Sequence, residues 1–218
     1  MNLQKSLDFL KALSEHNDKP WMDENRKWYE TEKKTFEAFV SALTGEIAAF
    51  DPPIGDLAPK DCIFRLNRDI RFSKDKSPYK TNFGAAMAIG GKKSNKAAYY
   101  IHIEPGKSFL GGGIWMPEAP VLKSIRQEID YGFEDFQKLI KAKAFTSHFK
   151  QMDGDKLSRA PKGYEEDNPA IEYLKHKSFT VGKPLTDKEV AHKDFVQHCA
   201  EAFAAMKPFI DFLNQSVD

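Results

Sequence analysis

The chain has 218 residues, of which 41% are hydrophobic and 30% are charged, so it is long enough to bury a substantial core. Its 33 lysines and arginines nearly balance its 32 aspartates and glutamates, and the net charge of +1 excludes a field that would draw the whole protein to nucleic acid or to an anionic membrane. Two cysteines are too few for a disulfide framework or a zinc site, and no apolar run approaches the ~20 residues of a membrane span. We therefore expect one domain over residues 1–218, located in the cytoplasm.

The first part of the chain, residues 1–50, is predicted to be helical. Leucines recur at helical spacing near the N-terminus, and a longer apolar stripe runs from Trp21 to Phe50, where the sequence DPP ends it. Asn25 and Glu32 fall on the apolar side of that stripe. Because buried polar groups must be hydrogen-bonded, we interpret the two as structural residues, with a role in a functional site as the alternative.

Residues 62–115 change to a period of two, which is typical of β-strands. Four short runs separated by turns show it: CIFRLNRDIRF, NFGAAMAI, AAYYIHIE and SFLGGGIW. The connections GGKKSNK and PGK are too short for crossover helices and predict hairpins. The sequence thus predicts an α+β fold, with a mostly antiparallel sheet of four or more strands packed against the N-terminal and C-terminal helices.

Residues 116–218 are predicted to be helical with one long loop. Helical spacing returns after Pro117 and again near the C-terminus, where Thr186 and Glu189 have the spacing of a capping box. Between these helices, residues 150–170 show no clear periodicity. Because a loop of this length in a compact domain is usually functional, we predict that it serves as a lid.

Residues 65–81, RLNRDIRFSKDKSPYKT, form a basic segment with six lysines or arginines and two aspartates. In a regular strand, alternate side chains would form a polar face, and the following turn could add backbone N–H donors. Arginine matches carboxylate or phosphate groups with two parallel hydrogen bonds, while a neighbouring aspartate can orient it. The residues predicted to bind an anionic ligand are Arg65, Asn67, Arg68, Asp69, Arg71, Lys74, Lys76, Tyr79 and Lys80. A solvated salt-bridge ladder of little energetic value is the alternative.

A histidine and two carboxylates are the candidates for acid–base chemistry. Tyr100, His102 and Glu104 alternate onto one face of their strand, so His102 and Glu104 could act as a pair. Asp75, in the basic segment, is the third candidate. The alternative is a strand histidine that simply bonds to its neighbour. Two ligands on one strand do not make a metal site, so none is predicted, and the cofactor is left open.

Three longer runs carry a family resemblance: RLNRDIRFSKDKSPYKTNFGA, YYIHIEPGKSFLGGGIWMP and RAPKGYEEDNPAIEYLKHKSF. They resemble the uncharacterised family catalogued as domain of unknown function 2461, over nearly the whole chain. The resemblance implies no activity, cofactor or catalytic residue. It marks the arginine-rich strand, the glycine strand and the PKGY loop as features that look like family hallmarks.

Three functional hypotheses follow from these patterns. The first is a pocket for a small anionic, phosphorylated ligand, with phosphoryl or related group transfer as the reaction class if the protein is an enzyme. The second is a non-catalytic nucleic-acid-binding module that uses Phe72, Tyr79 and Phe83 as stacking surfaces. The third is a structural ladder of arginine and aspartate in a protein-interaction domain. No membrane partner is predicted, and the oligomeric state is left open.

Overall fold

The computed structural model describes residues 1–217 and shows an α+β fold, as predicted. The strands are β1 (Phe83–Ala88), β2 (Ala98–Ile103), β3 (Phe109–Ile114), β4 (Met152–Asp153) and β5 (Phe179–Pro184). The N-terminal helices are α1 (Gln4–Glu15), α2 (Lys19–Glu24), α3 (Arg26–Ala48), a 3₁₀ helix (Pro52–Asp56) and α4 (Pro59–Cys62). The later helices are α5 (Ala119–Tyr131), α6 (Phe133–Lys141), α7 (Lys143–Thr146), α8 (Ile171–Leu174), α9 (Asp187–Val190) and α10 (Phe195–Gln215).

The five strands form one antiparallel sheet in the order β1-β2-β3-β5-β4. The predicted hairpins join β1 to β2 and β2 to β3. The predicted range of 62–115 is too narrow, because β4 and β5 come from later in the chain. The strand that pairs with β3, β5, therefore lies beyond four helices in sequence, and β4 forms the far edge of the sheet.

The prediction of a strand over residues 62–72 is wrong. Cys62 ends α4, and the segment that follows makes only isolated bridges, between Ile63 and Ala85 and between Asn67 and Tyr79. Its backbone runs beside β1, where the Phe64 N–H donates to the Gly84 carbonyl at 2.9 Å. Beyond this point, side-chain contacts within the segment replace the backbone hydrogen bonds of a strand ladder. The alternation of charged and apolar residues therefore does not produce the two regular faces that we expected.

One face of the sheet is covered by helices. Phe83 of β1 stacks on Phe36 of α3 with ring centroids 5.3 Å apart, and Tyr99 of β2 lies 5.3 Å from Phe203 of α10. These helices form because their apolar residues recur at helical spacing and bury a stripe against the sheet. Glu32, on α3, is buried and accepts a hydrogen bond from Ser6 at 2.9 Å, which matches its interpretation as a structural residue.

The other face of the sheet carries the polar residues. Along β2, buried Tyr99, Ile101 and Ile103 alternate with half-buried Tyr100 and His102. Because successive side chains of a strand point to opposite faces, Tyr100 and His102 lie opposite the helical layer. The fold thus presents the predicted histidine on the side of the sheet away from the helices.

The predicted lid lies far from the basic segment. Within residues 150–170, β4 pairs with β5, and Lys156 forms a bridge with His176. The basic segment runs beside β1, at the opposite edge, so that β1, β2, β3 and β5 lie between it and β4. At about 4.8 Å per strand the two edges are roughly 19 Å apart, so the loop does not close over the basic segment in this structure. Within residues 1–217, no helix combines the length and apolar character that crossing a membrane requires.

Candidate functional site

The site begins with a hydrogen-bonded chain on the face of the sheet opposite the helices. The Tyr100 hydroxyl lies 3.1 Å from His102 Nδ1, and His102 Nε2 lies 3.1 Å from Glu104 Oε2. Two residues that precede β1 join it: Asn82 Nδ2 lies 3.4 Å from His102 Nδ1, and Thr81 Oγ1 donates to Glu104 Oε1 at 2.9 Å. Sequence reasoning placed Tyr100, His102 and Glu104 on one face of a strand but missed Thr81 and Asn82.

Neighbouring groups fix the chemistry of this chain. Burial acts to raise the pKa of Glu104, but hydrogen bonds from His102 and Thr81 outweigh it and hold the pKa below its ordinary value. Burial, and to a lesser degree the charge of Glu104, raises the pKa of the Tyr100 phenol. The carboxylate therefore stays ionised and the phenol stays protonated near neutral pH. In this series of hydrogen bonds, the Tyr100 phenol is the donor at one end and the Glu104 carboxylate is the acceptor at the other.

His102 has one hydrogen arrangement that satisfies these neighbours. The Glu104 carboxylate only accepts, so Nε2 carries the proton, and the Asn82 amide nitrogen only donates, so Nδ1 accepts. The imidazole also stacks on Phe109, with centroids 4.9 Å apart and planes 17° apart. Both ring nitrogens are thus engaged. The ring therefore has no free nitrogen for a ligand while these contacts persist.

This arrangement predicts a tautomer that can be measured. We expect ¹⁵N spectra of labelled protein, at a pH where the ring is neutral, to show His102 as the Nε2–H tautomer. Glu104→Gln removes the charged, obligate acceptor, so that only the long 3.4 Å contact from Asn82 still requires the Nε2–H tautomer, and the fraction of the Nδ1–H tautomer should rise. His198, which is exposed and remote from Glu104, is the control within the same spectrum. An unchanged His102 signal in Glu104→Gln would contradict the assigned hydrogen-bond chain.

A cavity of about 360 Å³ lies beside this chain. Arg68, Asp75, Tyr79 and Lys80 of the basic segment line it. Thr81, the last residue of that segment, and Asn82 also line it, and both contact the hydrogen-bonded chain. Its wall also includes Asn17, whose side chain donates to the Tyr79 carbonyl at 2.9 Å and accepts from the Tyr79 N–H at 3.1 Å. We call this the basic cavity. The two groups of candidates that sequence analysis treated separately are therefore neighbours.

Several predicted ligand-binding cations already have partners within the protein. Arg68 donates to Asp75, to the Ser77 carbonyl at 3.1 Å and to Ser73 Oγ at 3.4 Å. Arg71 makes a bidentate pair with Asp69 at 2.7 and 2.9 Å. In the same segment, Lys76 donates to the Ile70 carbonyl at 3.0 Å. These contacts lie within the basic segment and hold it in shape.

Asp75 is held by hydrogen bonds that make it unsuited to acid–base chemistry. Hydrogen bonds from Ser77, first, and then from Arg68 lower the pKa of Asp75 to about 2. A carboxylate with so low a pKa is a poor acid or base near neutral pH. Asp75 therefore has a structural role in this segment, and His102 and Glu104 stay the predicted candidates for acid–base chemistry.

Lys80, which lines the basic cavity, differs from Arg68, Arg71 and Lys76 in the contacts of its side chain. It is half-buried, its Nζ lies 5.6 Å from the centre of the Phe64 ring, and within residues 1–217 its side chain makes no salt bridge or hydrogen bond. Burial, and then the nearby charge of Arg65, lowers the pKa of Lys80. Arg65 is exposed and likewise has no salt bridge in the described chain. The two cations therefore lie close together; the charge of Arg65 also acts on Asp69, whereas no acidic group of the described chain offsets the charge of Lys80.

The remaining predicted residues lie outside the cavity. Asn67 is exposed and pairs through its backbone with Tyr79, while Lys74 is exposed at the tip of the basic segment. Phe72 lies at the same tip and is 95% exposed, with the Arg71 guanidinium 5.8 Å from its ring centre. Within residues 1–217, no group of three or more His, Cys, Asp or Glu side chains is arranged to hold a metal ion.

The fold and the site define a two-layer α+β protein with a polar cavity at one edge of its sheet. The chain belongs to the family described as conserved hypothetical protein (DUF2461), whose model matches residues 5–212. No curated protein and no solved structure matches the chain.

Proposed function

We propose that the protein binds a small phosphorylated molecule in the basic cavity. The observation that carries the proposal is Lys80, a half-buried cation that lines the cavity beside Arg65 and has no counter-charge in the described chain. Burying an unpaired charge is costly, and a bound anion would remove that cost. Phosphate also suits the neighbouring donors, because the Arg68 guanidinium and the Asn82 amide line the same cavity.

The reaction class that these residues favour is phosphoryl or related group transfer. In such reactions, positioning and charge stabilisation supply most of the acceleration. Lys80, whose charge is unpaired in the described chain, is suited to both tasks, and Arg68, which already pairs with Asp75, is suited to positioning. Glu104 and His102 would accept or deliver a proton through the Tyr100 hydroxyl, at the end of the hydrogen-bonded chain. Asn82 belongs both to that chain and to the cavity wall, so it connects proton movement with ligand binding.

Lys80→Met tests the proposal with little risk to the fold, because the side chain has no hydrogen bond to lose. We expect calorimetry to show saturable binding of inorganic pyrophosphate or a sugar phosphate to the native protein. The variant should bind roughly 10 to 100 times more weakly, the effect of losing one charged contact of about 1.5–3 kcal/mol. Binding should also weaken as pH rises through the lowered pKa of Lys80, earlier than an ordinary lysine would cause.

Lys74→Met is the matched control. It removes the same charge from the same segment, but Lys74 is exposed and lies outside the basic cavity. Its affinity for the phosphorylated probe should stay within about twofold of the native value, since exposed charges contribute little. Equal losses in the two variants, or no binding of any phosphorylated probe to native protein, would rule out a specific site at Lys80.

Nucleic-acid binding at the tip of the basic segment is the second candidate. The 95% exposed Phe72 ring beside the Arg71 guanidinium favours it, because nucleobases stack on exposed aromatic rings. An oligothymidylate added to the same titrations distinguishes the two. Binding at the tip would fall steeply with salt and would depend on Lys74 as much as on Lys80.

A further inference from the structure

A second cleft, of about 230 Å³, lies on the helical side of the sheet and is separate from the basic cavity. Lys183 of β5 lines it, and Lys183 pairs across the sheet with Leu110, whose side chain is buried on that side. His198 and Cys199 face it from α10. We call it the α10 cleft. Its volume is below the range of about 300–1,000 Å³ that is typical of drug-sized ligands, so it suits a smaller molecule.

The α10 cleft holds opposite charges that do not pair with one another. Within residues 1–217, neither Lys183 nor Glu201 makes a side-chain hydrogen bond or a salt bridge, although both line the cleft. Glu189 also lines it, but its carboxylate already accepts from the Thr186 N–H and hydroxyl, each at 2.7 Å. One free ammonium group and one free carboxylate are therefore available to a ligand.

His148 adds an unfilled hydrogen-bonding position. Its Nδ1 is buried and has no partner in the described chain, which is uncommon for a buried polar atom. Burial, and then the charge of Lys183, lowers the pKa of His148, while Glu201 acts in the opposite direction. The imidazole therefore lies within the electrostatic influence of both free charges. In the tautomer that carries its proton on Nδ1, this nitrogen would donate to a ligand oxygen.

The mixed charge decides the class of ligand. A simple anion would be attracted by Lys183 but repelled by Glu189 and Glu201. A simple cation would be repelled by Lys183. A molecule with both charges can match each of them. Leu110, Leu185 and Phe195 give the cleft an apolar wall that suits a hydrocarbon side chain. Cys199 adds no reactivity, because burial raises the pKa of its thiol.

We propose that the α10 cleft binds a free amino acid with an apolar side chain. Its carboxylate would contact Lys183 and His148, its ammonium group would contact Glu201, and its side chain would lie on the apolar wall. This site lies on the opposite side of the sheet from the Tyr100–His102–Glu104 chain and uses none of its residues. The proposal of amino-acid binding is therefore independent of the proposal of phosphate binding.

Three matched probes test the proposal on the full-length ¹⁵N-labelled protein: L-leucine, 4-methylpentanoate, which lacks the amino group, and 3-methylbutylamine, which lacks the carboxylate. We expect leucine to shift amide signals around His198 and Lys183 saturably, and each single-charge analogue to bind at least roughly tenfold more weakly. Equal affinity for leucine and 4-methylpentanoate would overturn the proposal. So would no shift at about 10 mM leucine, a concentration that detects millimolar dissociation constants.

Variants assign the two contacts. Glu201→Gln, at an exposed position, should weaken leucine binding by roughly tenfold or more and leave 4-methylpentanoate binding unchanged or stronger. Lys183→Met should weaken both. Lys188→Met is the control, because Lys188 is exposed on the neighbouring α9 and does not line the cleft. Leucine binding that is unaffected by Glu201→Gln, or weakened equally by Lys188→Met, would contradict the assignment.

Discussion

Gly113→Ala is expected to destabilise the protein by more than ~3 kcal/mol, because a side chain at this position would meet the backbone of the neighbouring strand. Gly113 has a φ of +115°, and a Cβ placed on it would lie 2.0 Å from the Phe179 carbonyl oxygen and 3.0 Å from the Thr180 Cα. Gly113 pairs with Thr180 in the register of β3 and β5. Since backbone atoms cannot rotate away to relieve the clash, the two strands must separate.

Gly163→Ala is the matched control for this substitution. Gly163 also has a positive φ, +95°, but nothing lies within 4 Å of a Cβ placed there. Alanine at that position incurs only the backbone strain of the left-handed region, about 1–2 kcal/mol. Urea unfolding of both variants measures the difference. Similar losses would show that strain, and not the approach of β5, determines the cost at Gly113.

Acidification from pH 6.5 to pH 4 is expected to remove up to about 3 kcal/mol of stability through His176 alone. The side chain is 3% exposed, and burial, helped by the charge of Lys156, lowers its pKa to about 4. Its Nδ1 has no partner in the described chain. In this pH range the unfolded chain binds a proton that the folded chain does not, so the unfolded state gains stability as the pH falls.

His176→Gln isolates this contribution, since glutamine keeps a hydrogen-bond donor but does not titrate. Urea unfolding at pH 7 and at pH 4 should show a smaller difference for this variant than for the native protein. His16→Gln, at an exposed histidine, should reproduce the native difference. Carboxylates with lowered pKa values, such as Glu104, lose their stabilising effect at lower pH and affect all three proteins alike. Parallel pH profiles for native protein and His176→Gln would show that His176 is not responsible.

The local parts of the fold were predictable because their signals are local. Strands β1, β2 and β3 alternate clearly and are joined by short turns, and Gly132 separates α5 from α6 where the helical pattern breaks. β5 was missed because its six residues include Gly182 and Pro184, and its pairing with β3 depends on residues far away in sequence. Residues 62–72 have the alternating pattern of a strand. Their side chains instead form contacts within the segment, such as that of Asp69 with Arg71, and no strand forms.

The candidate site was predictable in its charged groups but not in their arrangement. Lys80 and His102 lie in runs with a clear charge or strand pattern, so the sequence analysis named both as candidates. Asn17 and Asn82 were missed, since a single asparagine in a turn carries no periodic signal and its role depends on what the fold places beside it. The α10 cleft gave no signal at all, because its charged residues lie between positions 148 and 201 and form no motif.

The order of strands in the sheet also affects how the protein is made. About 65 residues separate the end of β3 from the start of β5, whereas β1, β2 and β3 follow one another closely. At a synthesis rate of roughly 5–20 residues per second, β3 remains without its second partner for roughly 3–13 seconds. During this interval the nascent chain exposes an unpaired strand edge of the kind that recruits other strands. Chaperone dependence and aggregation of this protein during expression should therefore respond to changes in β5 that leave the finished fold stable.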